Sequence, residues 1–126
     1  MKRTPFRRKR RTADEIERAK VQHITEAQFQ RNVEEIAFAN GWLTFHASQP
    51  FWDTAGLPDL ILVRERIEFW ELKVRDAKKS RAPSPSPVQW RFMDRLVEAG
   101  GIVRLMLWPD DWDEIVRLLA REGTTG

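Results

Sequence analysis

With 126 residues and a mass of 14.9 kDa, the chain is sized for one domain, and its 41% hydrophobic and 33% charged residues fit a soluble globular protein. The absence of cysteine excludes disulfide scaffolds, thiolate zinc sites and cysteine nucleophiles, and His23 and His46 are too few for a multi-histidine metal site. The longest apolar runs, such as Leu60 to Val63, fall far short of the roughly 20 residues of a membrane span, so no membrane partner is expected; no secretory signal is expected either, because no apolar segment follows the basic N-terminus, and the expected location is cytoplasmic, in a bacterial or phage-infected cell.

The formal charge of +3 conceals an asymmetry. Residues 1–12 hold seven of the 22 Lys and Arg and no acid, leaving 15 basic and 19 acidic side chains in the remainder, a net of −4. This run, with Arg7, Arg8, Lys9, Arg10 and Arg11 at its centre, repels itself and reads as a disordered tail. It is either a salt-sensitive arm for nucleic-acid phosphates or a solvated terminus. Residues 13–122 read as a single folded domain and 123–126 as a frayed end.

Residues 13–22 form a short helix or extend the next one. Thr25 with Gln28 fits a capping box opening a helix that ends near Gly41, with Phe29, Val33, Ile36 and Ala37 on one apolar face. Trp42 to Ala47 reads as a strand and Ser48 to Pro58 as a loop. Asp59 to Arg64 and Ile67 to Val74 read as two strands joined by a tight turn. The stretch Ala82 to Pro87 is dense in Pro and Ser, hence extended and exposed. Ser86 caps and Pro87 opens a helix that runs to about Ala99. Ile102 to Trp108 reads as a buried strand. A last helix, capped by Asp110 or Asp111, puts Trp112, Ile115, Val116, Leu118 and Leu119 inward. The order α-β-β-β-α-β-α predicts an α/β fold, a mixed central sheet flanked by helices on both faces.

The informative residues are polar ones on faces that should be apolar, since a buried charge is costly unless paired or bound to a metal. Strand alternation puts Ile67, Phe69, Glu71 and Lys73 on one face, and Glu68, Trp70, Leu72 and Val74 on the other. A three-residue turn at Arg64–Arg66 sets Asp59 directly opposite Glu71. Two carboxylates there repel unless a cation lies between them, and hard oxygen ligands suit Mg²⁺ or Mn²⁺. Gly56-Leu57-Pro58 fixes the entry to Asp59 and lets another backbone approach closely. Glu26 lies along the apolar stripe of its helix, and Gln89 lies on the buried side of its own. Each has an ordinary reading as well: a surface ion pair for Glu71 and Lys73, a strand-start residue for Asp59, a first-turn acid for Glu26, an amide satisfied by backbone for Gln89. One chemistry that explains all four pattern breaks is favoured over four separate accidents.

Gly56-x-Pro58-Asp59, then Glu71-x-Lys73, with Glu26 upstream and Ser86-x-x-Gln89 downstream, resembles the PD-(D/E)xK nuclease signature and, within it, the VRR-NUC family. The resemblance spans roughly residues 24–120. It implies a restriction-endonuclease-like core that hydrolyses DNA phosphodiesters with Mg²⁺ or Mn²⁺. Asp59 and Glu71 would ligate the ion with the Leu72 carbonyl, and Glu26 would hold a metal-bound water or a second ion. Lys73 would position or activate the water, and Gln89 would orient Lys73 or the water. It further implies a structure-selective endonuclease acting as a homodimer on branched or junction DNA, with Holliday-junction resolution the narrowest form. The alternatives are a flap, nicking or single-strand nuclease, or a binding module without chemistry.

Arg75, Lys78, Lys79 and Arg81 form a second basic cluster, expected to touch the DNA backbone beside the scissile phosphate. His46 and Ser48 are either near that phosphate or packed on their own loop. Trp52 is read as a dimer contact or a stacking residue, and most of the other tryptophans as core.

Overall fold

Each change of hydrophobic period along the chain marks a change of element in the computed structural model, which describes residues 24–46, 56–76 and 81–121. Helix α1 (Glu26–Ala39) begins where the Thr25 hydroxyl accepts the Gln28 N–H at 3.0 Å. It ends at Asn40, and the following Gly41 takes φ +87°, a left-handed turn that costs glycine little. Strands β1 (Leu43–His46), β2 (Leu60–Val63) and β3 (Ile67–Val74) follow. Then come helix α2 (Pro87–Glu98), strand β4 (Ile102–Trp108) and helix α3 (Trp112–Leu119), the order the sequence predicts.

The four strands lie in chain order. β1/β2 and β2/β3 are antiparallel, while β3/β4 is parallel because α2 carries the chain back across the sheet. Leu60 faces Trp70 and Val63 faces Ile67, the register expected from the turn at Arg64–Arg66. One sheet face carries Leu60, Leu62, Trp70, Leu72 and Met106, which pack with Phe29, Val33 and Ala37 of α1 and Ile115 and Leu119 of α3. The other face receives α2, whose Met93 is buried.

Several boundaries differ from expectation for local reasons. Trp42 does not start β1; it is buried in the core, and its indole N–H donates to the Leu119 carbonyl at 2.9 Å. Asp59 stays outside β2 because its carboxylate, not its backbone, engages β3. Arg64 turns away from the sheet to donate to the Asn40 and Ala120 carbonyls, tying together the ends of α1 and α3. Asp111 precedes α3 without capping it by its side chain; the carboxylate instead accepts the Leu107 N–H at 2.8 Å. Val116, expected inside, is exposed, and Pro85, expected outside, is buried. The tail 1–12, the segment 13–22, Ser48, Trp52, Lys78, Lys79 and residues 123–126 lie outside the described residues.

Candidate nuclease site

The C-terminal half of β3 carries the site. β2 starts one residue after Asp59, so β3 extends past the end of its neighbour there. The Asp59 carboxylate fills that gap and accepts the Leu72 N–H at 2.8 Å. In an extended strand the carbonyl of a residue leaves on the same edge as its N–H, so the Leu72 carbonyl also borders the gap. Glu71, opposite Asp59 in register, is 1% exposed. Its Oε2 accepts from Gln89 Nε2 at 2.8 Å and lies 3.5 Å from Lys73 Nζ, whereas its Oε1 is buried without a hydrogen-bond partner. Glu26, in the first turn of α1, reaches the same end of β3, within the electrostatic influence of Lys73, Asp59 and the Val74 N–H.

Gln89 is held from both sides. Ser86 and Gln89 form a complete capping box at the start of α2: the Ser86 hydroxyl accepts the Gln89 N–H, and the Ser86 N–H donates to Gln89 Oε1 at 2.8 Å. With its oxygen engaged there, the amide must turn its NH₂ toward Glu71. Sequence reasoning pointed Gln89 at Lys73 or at water; its partner is Glu71. Gly56 brings α2 close. A Cβ at Gly56 would meet the Val88 carbonyl oxygen at 2.7 Å, so the segment leading to Asp59 packs on the first turn of α2 as only glycine allows.

The electrostatics mark a group of acids in want of positive charge. Burial pushes Glu71 up to about 7, with the Asp59 charge adding to the rise and Lys73 opposing it. Burial also raises Asp59, partly offset by the Leu72 N–H and Lys73. Burial raises Glu26, against the pull of Lys73. Three acids thus face one ammonium. Among the described residues, no group of three or more His, Cys, Asp or Glu encloses an ion by itself. A cation here would rest on the two carboxylates, a backbone carbonyl and water, a donor set that suits Mg²⁺ or Mn²⁺. The orphaned Oε1 of Glu71 fits such a ligand role.

Not every candidate comes to this site. His46 lies on the α1 side of the sheet, 3.9 Å from Glu34 and away from Asp59 and Glu71. Arg81 is exposed beyond the end of β3. Arg75, just past Lys73, is engaged by both oxygens of Asp110, at 3.1 and 2.7 Å. Sequence reasoning missed a second buried acid, Glu68, on the opposite face of β3. Its oxygens accept from the guanidinium groups of Arg66 (2.5 Å) and Arg104 (2.7 Å) and from the Trp70 indole (2.8 Å). The available signal was a carboxylate alternating with Trp70 and Leu72 on the core face, with an arginine inside the apolar strand Ile102–Trp108.

No family model matches the chain, and no curated protein matches it. One solved structure, described as a VRR_NUC domain, superposes with a TM-score of 0.56 at 25% identity. The match covers 73% of this chain and 94% of that one, and so takes in nearly all of that domain. The element order, the mixed four-stranded sheet and this superposition give the chain the fold of a VRR_NUC domain and support its likeness to the VRR-NUC family.

Proposed function

We propose that the protein is a divalent-metal-dependent, structure-selective DNA endonuclease. The observation that supports this most is the convergence of Asp59 and Glu71 at one end of β3, with Lys73 alongside and one Glu71 oxygen left without a partner. The likeness to a VRR_NUC domain points to the same class of chemistry.

Asp59 and Glu71 would hold Mg²⁺ or Mn²⁺, with the Leu72 carbonyl bordering the site and Glu26 nearby. Such an ion, when bound, neutralises phosphate charge and lowers the pKa of water. Lys73 supplies donors where negative charge develops on the phosphate. Gln89 fixes the rotamer of Glu71, and its own orientation is fixed by the α2 capping box. Arg81, Lys78 and Lys79, with Arg75 once released from Asp110, follow β3 and suit the DNA backbone; the basic tail would add salt-sensitive affinity. A homodimer would present two such sites to two strands of a branched substrate.

The test is incubation with labelled four-way, flap and linear duplexes in Mn²⁺ or EDTA. Metal-dependent cleavage of the four-way substrate alone supports junction resolution, and cleavage of flaps or single strands shifts the assignment within the nucleases. Metal-independent binding with no cleavage of any substrate overturns the enzymatic reading.

A further inference from the structure

The ion pair next to the site has a geometry that bears on how DNA reaches it. Arg75 follows β3 two residues after Lys73, and Asp110 lies in the turn after β4, beside it across the parallel strand pair. The guanidinium donates through Nε and one Nη to the two Asp110 oxygens, the fork geometry by which arginine also grips a phosphate. The pair is open, with Arg75 32% and Asp110 38% exposed.

We propose that Asp110 is an affinity-determining residue that occupies Arg75 in the free protein and is displaced from it by a DNA backbone phosphate. This rests on the DNA-binding reading given above. The energetics permit the exchange. An exposed ion pair contributes little to stability, so a backbone phosphate, which offers two acceptor oxygens and a single negative charge as the carboxylate does, competes on equal terms. The neighbourhood makes Asp110 count. Glu26, Asp59 and Glu71 oppose a polyanion at this end of β3, Lys73 is committed to Glu71, and Arg75 is the next cation along the strand. While Asp110 holds it, Arg75 contributes little to the attraction of DNA.

The test is equilibrium binding of a four-way DNA in EDTA, which prevents cleavage, across a series of KCl concentrations. It compares wild type, Asp110→Asn, Arg75→Gln and the double variant. Asp110→Asn should bind roughly 3- to 10-fold tighter at low salt with a slope of log K against log salt close to that of wild type, because Arg75 meets the phosphate in both complexes, whereas Arg75→Gln should flatten the slope by about 0.9, the value for one lost phosphate contact. Arg75→Gln should abolish that gain in the double variant. A gain that survives in the double variant would come from general removal of a negative charge and would overturn the exchange. So would unchanged or weaker binding by Asp110→Asn, the result expected if the pair only clasps the ends of β3 and β4. If wild type binds no DNA at all, the proposed function falls and the exchange with it; if wild type binds and Asp110→Asn does not respond, the exchange alone is overturned.

Discussion

Glu68 and Glu71 stand three residues apart on β3, each 1% exposed, and point to opposite faces of the sheet. Glu68 has both oxygens engaged by Arg66, Arg104 and Trp70. Burial alone would raise its pKa, but these donors outweigh burial and hold it below the ordinary glutamate value. Glu71 has one amide and a more distant ammonium on Oε2, nothing on Oε1 and another acid opposite, and its pKa rises to about 7. Burial is common to both, so it does not distinguish structure from function. What distinguishes them is whether the surrounding donors complete the charge. The α1/α3 face completes it and gains a fixed core. The α2 face leaves it incomplete, with one buried carboxylate oxygen that no donor reaches.

The largest expected effect breaks the comparison on the functional side. Asp59→Asn, Glu71→Gln and Lys73→Ala should each reduce cleavage by at least about 10³-fold, the scale for loss of a group that acts on developing charge. DNA binding should stay within a few-fold. Steady-state cleavage alongside binding in EDTA checks this, and near-wild-type turnover in any of the three would remove that residue from the site.

Next is the structural side. Glu68→Gln should leave Arg66 and Arg104 facing a neutral amide and cost about 2–3 kcal/mol in unfolding free energy, somewhat below the range for fully buried pairs because both arginines are about a third exposed. Metal-free Glu71→Gln should cost nothing or stabilise, since it removes an uncompensated carboxylate. Urea titrations should therefore show a loss for Glu68→Gln and none for Glu71→Gln, and parallel losses would erase the distinction between the faces.

The same contrast predicts opposite responses to pH. Glu71 binds its proton more tightly folded than unfolded, so between pH 4.5 and about 7 the folded state carries the extra proton. Metal-free stability should fall as pH rises through that window, by on the order of 3 kcal/mol from this group. Asp59 and Glu26, also raised, add to the fall. Glu68, lowered, contributes stability that is lost as pH drops below the ordinary glutamate range. Melting curves across pH 4–8 should show a decline that Glu71→Gln flattens and that Mg²⁺ reverses at the upper end.

Much of this was legible in the sequence because strand geometry is rigid. Period-two alternation put Glu71 and Lys73 on one face, and the turn at Arg64–Arg66 fixed the register that sets Asp59 against Glu71. Capping chemistry located α2 and Gln89 for the same reason: Ser86 and Pro87 act within one turn. The illegible parts depend on long-range partners. Glu68 reads as an ordinary strand glutamate until Arg104, 36 residues later, is brought beside it. The Gln89–Glu71 bond and the commitment of Arg75 to Asp110 join elements whose approach no local pattern encodes. Val116 reads as inward yet is exposed, because helical periodicity gives a face, not how much of it a neighbour covers.

The smallest effect separates packing near the site from packing elsewhere. Gly56→Ala places a methyl 2.7 Å from the Val88 carbonyl oxygen and 2.8 Å from Val88 Cγ1, so either the segment bearing Asp59 or the first turn of α2 bearing Gln89 must shift. Overpacking of this kind costs about 1–3 kcal/mol, and a displacement approaching 1 Å in a catalytic group can cost about 10²-fold in rate. Gly100→Ala is the matched control. Its φ of +97° strains any side chain, but a Cβ there meets nothing within 4 Å, and it lies at the far end of α2. Both variants should lose comparable stability in urea, whereas only Gly56→Ala should lose cleavage, by roughly 10- to 100-fold. If the two lose activity in equal proportion, the close approach at Gly56 serves the fold generally rather than the alignment of Asp59 with Gln89 and Glu71.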